Sequence, residues 1–167
     1  VEFLQIVGDA FARPLLDALK SGAPSPSSLR SIISGGAVLN AELKNELKEQ
    51  FGGVTIRDSI GSSETGVQGS NVSGKNERAS TGDFEPAPGS TVVNAAMDAV
   101  LEAGSDEVGW FAMSGRVPLG YLNDAEKTRS TFPVIDDVRL SIPGDRARLL
   151  IGGRIQVLGR DSASINS

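Results

Sequence analysis

The chain has 167 residues and a mass of 17.4 kDa, which is enough for one ordinary domain or two small ones that share a core. Its 16 Lys and Arg against 21 Asp and Glu give a net charge of −5, so no nucleic-acid partner is expected, because such partners need clustered basic residues. The absence of Cys and His excludes disulfides, thiol nucleophiles, Cys/His zinc sites and Ser-His-Asp triads. The sequence shows neither an apolar run near the ~20 residues of a membrane helix nor a signal peptide, so we expect no membrane span and a cytoplasmic protein.

The first half of the chain predicts alternating strands and helices. Residues 2–7 predict a strand, and Pro14 suits the first turn of a helix that follows it. A second strand is predicted over residues 29–33, Asn40 is a good N-cap for the next helix, and a third strand follows over residues 54–57. This alternation predicts a mostly parallel sheet with covering helices.

The second half predicts a different architecture. Residues 67–90 are polar and rich in Gly and Ser, and they predict a long loop. Residues 124–131 predict one or two helical turns, and Gly152-Gly153 predicts a hairpin. The predicted short strands are residues 108–113, 117–122, 147–151 and 154–158. We therefore expect an α/β subdomain over residues 1–90 and a β-rich subdomain over residues 91–160.

Small and polar residues follow the second and third predicted strands, where parallel α/β folds bind ligands. Ser34-Gly35-Gly36-Ala37 lets backbone approach a flat or anionic ligand, and residues 59–66 offer hydroxyls and amides that suit phosphate. The Glu64 carboxylate suits Mg²⁺. Taken singly, each loop is better explained as a tight turn or a solvated loop. Residues 69–76 approach the Walker A pattern, but Asn76 stands where Ser or Thr would bind magnesium, so no P-loop is predicted.

Read together, the motifs of the chain resemble those of the adenylate-forming acyl-CoA synthetase superfamily. In chain order they are Ser34-Gly35-Gly36-Ala37, Ile60-Gly61-Ser62-Ser63-Glu64, Gly120-Tyr121 with Glu126-Lys127-Thr128 and Thr131-Phe132, Pro143-Gly144-Asp145 with Ala147, and Leu158-Gly159-Arg160-Asp161 with Ile165-Asn166. Residues 8–14 and the Ser-Ser-Glu-Thr-Gly form are similar to the fatty-acyl and steroid-acyl CoA ligases of actinobacteria.

The resemblance implies activation of a carboxylic acid, fatty or steroid, by Mg-ATP and transfer of the acyl group from acyl-AMP to coenzyme A. It also accounts for the missing His, since the substrate carboxylate and the coenzyme A thiol are the nucleophiles. The protein then supplies positioning and charge stabilisation around phosphorus.

Carried over by position, the resemblance implies a role for each loop residue. Ser63 and Glu64 are the implied catalytic residues, Ser63 as a phosphate donor and Glu64 as the Mg²⁺ ligand. Asp145 is implied to accept hydrogen bonds from the ribose hydroxyls. The full nucleotide-binding set implied is Gly35, Gly36, Ala37, Asp58, Ser59, Ile60, Gly61, Asp145 and Arg160. The acyl pocket implied consists of Gly66, Val67 and Gln68.

The chain departs from the family pattern in several places. Ile60 replaces the aromatic residue that stacks on adenine, and Ser63 replaces the usual Thr. The upstream phosphate loop and the C-terminal domain with its catalytic Lys are absent, and Asp161 is implied as the hinge to that domain within residues 161–167. We therefore expect the later part of the large N-terminal domain of a longer ligase, a β-rich distorted barrel included. Its partners would be the missing N- and C-terminal parts, and alone it would be inactive.

Two alternatives from other functional classes remain open. One is a non-catalytic nucleotide-binding or interaction module that keeps the loops of the fold. The other is a carboxylate-based hydrolase that uses Asp58, Glu64 or Asp145.

Overall fold

A computed structural model describes residues 1–160 of the chain. These residues form two compact units. The first unit comprises Val1–Ile60 and Ser70–Gly82, and the second comprises Gly61–Gly69 and residues 83–160. In the described residues no helix is long and apolar enough to cross a membrane.

The first unit is a parallel sheet covered by helices, as the sequence predicts. Its elements are β1 (Phe3–Ile6), α1 (Gly8–Lys20), β2 (Ser31–Gly35), α2 (Ala41–Gln50) and the larger part of β3 (Thr55–Ser62). Strand β2 pairs in parallel with both β1 and β3, which places Gly35 opposite Ser59 at the carboxyl end of the sheet. The core consists of apolar side chains from the strands and both helices, among them Ile6, Leu16, Ile32, Leu47 and Ile56.

Helix α1 begins at Gly8, so the prediction that Pro14 lies in its first turn is wrong. Gly8, Ala12 and Leu16 form one buried stripe at a spacing of four residues. The small residues Gly8 and Ala12 extend the buried face of the helix towards its N-terminus. Because this face packs against the core, the helix begins at Gly8. Pro14 is exposed, where the loss of one backbone hydrogen bond can be compensated by water.

The second unit is dominated by antiparallel strands. The second unit contains the first four residues of β4 (Gly66–Ser73). Its other elements are β5 (Asp83–Pro86), β6 (Ser90–Val93), β7 (Gly109–Met113), α3 (Ala125–Thr131), β8 (Val134–Ile135), β9 (Val138–Arg139), β10 (Asp145–Leu149) and β11 (Ile155–Arg160). Five of these strands follow the order β5-β11-β10-β7-β6, and β8 and β9 form a separate ribbon. Because β5 and β6 do not pair, the strands of residues 83–160 form an open sheet rather than a closed barrel.

Several predicted elements of the second half are confirmed. Strand β7 and helix α3 lie where the pattern predicts them, and Asp124 caps α3 by accepting a hydrogen bond from the Lys127 amide at 2.9 Å. Strands β10 and β11 form the predicted hairpin, with Gly152 at φ +87° and Gly153 at φ +84° in its turn. Positive φ at consecutive residues is what a tight hairpin turn requires of glycine.

Two predictions for the second half are wrong. Half of residues 67–90 lies in the strands β4 and β5 and at the start of β6, because backbone pairing holds these polar segments without an apolar pattern. The Walker-like residues 69–76 therefore begin inside β4 and do not form a phosphate loop. Residues 117–122 are not a strand: Pro118 lacks an N–H, and the segment makes only an isolated bridge between Tyr121 and Asp124.

Candidate functional site

The glycine-rich loop after β2 presents exposed backbone in the first unit. Gly36 has a φ of +83°, a conformation that an L side chain rarely adopts, and both Gly36 and Ala37 are exposed. The far end of the loop is fixed by Asp9, whose carboxylate accepts hydrogen bonds from the backbone N of Asn40 at 2.9 Å and from its Nδ2 at 2.6 Å. The loop is therefore an open, anchored surface that a flat ligand can approach closely.

A buried ion pair joins α2 to the middle of β3, where Asp58 pairs with Ser34 near the carboxyl end of β2. Asp58 Oδ2 lies 2.8 Å from Nζ of Lys44, and the Lys44 side chain is 1% exposed. Burial raises the pKa of the Asp58 carboxyl, and the hydrogen bond and charge of Lys44 oppose this rise. Ser59 and Ile60 follow Asp58 in β3 and are half-buried, so the ion pair supports the part of the strand that carries them.

A tight turn at the start of the second unit carries the candidate catalytic residues. The Ser62 backbone N donates to Thr65 Oγ1 at 3.1 Å, and the Glu64 backbone N donates to Ser62 Oγ at 3.2 Å. A Cβ at Gly61 would collide with the carbonyl oxygen of Gly66, so only glycine lets the two ends of the turn approach. Ser63 is exposed on this turn, and its hydroxyl is accessible to a ligand.

The Glu64 carboxylate is held by a tyrosine from a distant part of the second unit. Tyr121 donates its phenolic hydrogen to Glu64 Oε1 at 2.6 Å. This hydrogen bond is the main cause that lowers the pKa of Glu64, and the charge of Arg160 adds to it. Burial and the contact with Glu64 raise the pKa of Tyr121. At neutral pH the site therefore contains an ionised carboxylate and a protonated phenol.

These features fit a magnesium ion that is bound mainly by a nucleotide. Mg²⁺ prefers hard oxygen ligands and is usually held by one or two carboxylates together with substrate phosphates. Glu64 is half-buried and supplies one ionised carboxylate. Within residues 1–160 no group of three or more His, Cys, Asp or Glu could hold a metal on its own. The donor set accordingly suits a cation that arrives with phosphates.

Asp145 and Arg160 are brought together by the β10–β11 hairpin. They are partners in its register, and Arg160 Nε lies 3.1 Å from Asp145 Oδ1. The Asp145 side chain is 11% exposed and that of Arg160 is 48% exposed. A largely buried carboxylate on a rigid strand end is a precise acceptor for hydroxyl groups, while Arg160 can reach outward to an anion. Asp161 lies outside the described residues.

The three candidate acyl-pocket residues differ in their surroundings. Gly66 and Val67 are exposed on the second unit. Gln68 is fully buried, and neither its side-chain oxygen nor its nitrogen has a hydrogen-bond partner among the described residues. A buried amide without partners is costly, which makes Gln68 the polar group of this set that most needs a partner.

Each unit therefore brings some of the predicted residues together. The first unit places Gly35 beside Ser59, and the second joins Asp145 to Arg160. Sequence reasoning missed Asp9, Lys44 and Tyr121 as supports of these residues. The Gly-Tyr motif was a signal for Tyr121, whereas Lys44 looked like an ordinary charge on an amphipathic helix.

Several named proteins are similar in sequence to this chain along its whole length. No protein-family model matches it. It is 46% identical over 167 residues to the medium-chain acyl-CoA ligase Mig of Mycobacterium avium, which it covers to 30%. It is 40% identical over 173 residues to 3-oxocholest-4-en-26-oate–CoA ligase of Rhodococcus rhodochrous, which it covers to 31%. Both alignments include 100% of this chain.

A solved structure supports the same assignment. ATP-bound MatB from Rhodopseudomonas palustris superposes with a TM-score of 0.73 at 27% identity. The superposition covers 96% of this chain and 31% of MatB. The chain thus spans about three tenths of the length of these relatives. By sequence along its whole length and by fold, the chain belongs to the adenylate-forming acyl-CoA synthetase superfamily.

Proposed function

We propose that this chain is part of an acyl-CoA ligase that converts a carboxylic acid and Mg-ATP to acyl-AMP and then transfers the acyl group to coenzyme A. The observation that carries the proposal is the 46% identity along the whole chain to a protein named as a medium-chain acyl-CoA ligase. We propose a fatty or steroid acid as the substrate, which the names of this relative and of the Rhodococcus enzyme support. The site of action would be the cytoplasm.

The first unit would bind the base of the nucleotide. Gly35, Gly36 and Ala37 would lie along adenine, because the exposed backbone of this loop permits close approach. Ile60 would make apolar contact with the base in place of aromatic stacking. Asp58 would act with Ser59 in this unit, and Lys44 supports the Asp58 carboxylate. Gly61, the first residue of the second unit, would also contact the nucleotide.

The second unit would hold the phosphates and the ribose. Ser63 would donate a hydrogen bond to phosphate, and Glu64 would hold Mg²⁺, which when bound neutralises phosphate charge as the substrate carboxylate attacks phosphorus. Asp145 would accept from the ribose hydroxyls through the oxygen that does not contact Arg160. Arg160 would contact the nucleotide, since its guanidinium is half-exposed.

The remaining residues would serve the acyl group and the second half-reaction. Gly66, Val67 and Gln68 would line the acyl pocket, and Asp161 would be the hinge for a C-terminal domain. Coenzyme A would provide the thiol that accepts the acyl group, which the names of the relatives as CoA ligases support. The 167-residue chain by itself would not catalyse adenylation, so formation of acyl-CoA by this chain alone would contradict the proposal.

An NMR titration of the isotope-labelled chain with a non-hydrolysable acyl-adenylate analogue tests the nucleotide-binding part. We expect the largest shifts at Gly36, Ile60, Asp145 and Arg160. Asp145→Asn is the matched variant, since it keeps the shape of the side chain and removes the charge that accepts from ribose. A folded spectrum without shifts at these residues in the longest available form of the protein would refute the assignment of the site.

A non-catalytic nucleotide-binding module is the second candidate. The replacement of the adenine-stacking aromatic residue by Ile60 favours it. Retained AMP binding by a longer form of the protein, without activation of any fatty, steroid or aryl acid, would support this candidate over a ligase.

A further inference from the structure

The Tyr121 phenol is the neutral partner of an ionised carboxylate. Its hydroxyl donates to Glu64 Oε1 at 2.6 Å, which is the length of a strong charge-assisted hydrogen bond. A lysine or arginine in this position would also orient the carboxylate, but it would add to the positive charge that Arg160 already places near Glu64 and would repel a cation more strongly. A phenol orients the same group and leaves its negative charge in place.

Tyr121 is itself held from several sides by helix α3 and the residues next to it. Its backbone N donates to Thr128 Oγ1 at 2.9 Å. Its ring lies 5.5 Å from the ring of Phe132, and Lys127 Nζ lies 4.3 Å from its centroid on a face of the ring. The Tyr121 hydroxyl therefore occupies a defined position before any ligand binds.

Glu64 is constrained from its backbone side as well. Ser62 Oγ accepts from the Glu64 backbone N within the tight turn, at 3.2 Å. The backbone bond fixes the start of the side chain and the phenol fixes its Oε1 atom. A glutamate side chain that is only half-buried would otherwise sample several rotamers.

We infer that Tyr121 is a positioning residue for the cation site: it holds the Glu64 carboxylate by Oε1 and leaves Oε2 for the metal of a metal–nucleotide complex. This inference rests on the proposed role of Glu64 as the Mg²⁺ ligand. Groups that orient metal ligands typically change metal affinity by about 10–100-fold when they are removed. Tyr121→Phe removes the hydroxyl alone and keeps the ring that packs against Phe132.

The test uses Mn²⁺ with a non-hydrolysable ATP analogue as the probe. The dissociation constant of Mn²⁺ is measured by electron paramagnetic resonance, and its proximity by broadening of the Glu64 and Thr65 amide signals. We expect Tyr121→Phe to weaken Mn²⁺ binding about tenfold. Carbon relaxation of the Glu64 side chain should also show greater mobility in the metal-free variant, an effect that a purely structural role for the ring would not produce.

Matched variants separate the possible outcomes. Lys127→Met removes the positive charge over the ring but keeps the phenol, its hydrogen bond to Thr128 and its packing against Phe132. These remaining contacts suffice to position the hydroxyl, so we expect Mn²⁺ affinity and Glu64 mobility close to those of the unmodified chain. Trp110 is the only Trp and lies in the second unit, so its fluorescence reports whether each variant is folded. If folded Tyr121→Phe binds Mn²⁺ normally while Glu64→Gln does not, the positioning role is wrong and the role of Glu64 stands. If Glu64→Gln also binds normally, or if the longest available form of the protein does not bind Mn²⁺ with the analogue, both proposals are wrong.

Discussion

Lys44 Nζ lies 2.8 Å from Asp58 Oδ2 inside the first unit, and both side chains are almost inaccessible to water, at 1% and 5% exposure. Lys44 also donates to the Ser80 carbonyl oxygen at 2.8 Å. The pair joins α2 to the middle of β3 and thus supports the part of the strand that carries Ser59 and Ile60. Because two buried charges compensate each other here, removal of one charge should lower the free energy of unfolding more than removal of both.

Asp58→Asn should lower the free energy of unfolding by about 3–5 kcal/mol, since it leaves the Lys44 charge buried without a counter-ion. Denaturant unfolding followed by circular dichroism measures this change. The double variant Lys44→Met with Asp58→Leu should regain most of the loss, because well-packed apolar residues can replace a buried ion pair. A double variant that is less stable than Asp58→Asn would show that the charges themselves stabilise the unit.

Lys48 should make stability depend on pH in the alkaline range. Burial lowers the pKa of Lys48 below its ordinary value of 10.5, although its ammonium group donates to Ser73 Oγ and to the Glu77 carbonyl. Between the folded pKa and 10.5 the unfolded chain binds more protons than the folded chain, so stability contributed by this group rises with pH. Urea unfolding at several pH values measures the slope.

Lys48→Met is the control for this slope. All other residues are the same in both proteins, so the difference between the two curves isolates Lys48. The free energy of unfolding of the unmodified chain, relative to that of the Met variant, should rise as the pH rises towards 10.5. A difference that stays constant with pH would contradict the lowered pKa.

Gly36→Ala should destabilise the first unit by about 1–2 kcal/mol, because an L side chain pays this cost in the left-handed region. Gly36 has a φ of +83°, and a Cβ there would lie 3.7 Å from Val7 Cγ1, an ordinary contact, so the cost comes from the backbone alone. Gly35→Ala is the matched control, with its nearest contact at 3.4 Å to the Ser59 carbonyl oxygen. Thermal unfolding measures the loss of stability in both variants. Equal losses would contradict a cost that arises from the backbone conformation of Gly36.

Asn40→Ala should cost about 1 kcal/mol for the lost N-cap of α2 and somewhat more for the lost contact with Asp9. Asn40 Oδ1 accepts from the Leu43 amide at 2.9 Å, and its Nδ2 donates to Asp9 at 2.6 Å. Asn40→Ser keeps a capping oxygen but not the donor to Asp9. Its stability should therefore lie between that of the unmodified chain and that of Asn40→Ala. If Asn40→Ser is as unstable as Asn40→Ala in denaturant unfolding, the cap contributes nothing.

Local rules were sufficient for much of the fold. The parallel strands, the Asn40 and Asp124 caps and the Gly152-Gly153 turn each depend on neighbouring residues, so they could be read from short patterns. The motifs also sufficed to identify the superfamily. Local rules failed where tertiary contacts determine the structure. Helix α1 begins at Gly8 because its buried face extends to that residue, and the polar residues of β4 form a strand because their backbone pairs with neighbouring strands.

The sequence by itself therefore determined the class of fold, the family and the residue types available for chemistry, because these depend on composition, periodicity and short motifs. Only the tertiary structure decided which groups support the site. Tyr121 meets Glu64 across 57 residues of sequence, and Lys44 of α2 meets Asp58 of β3 in a buried pair. Such contacts depend on how strands and helices pack in three dimensions, and no spacing along the chain encodes them.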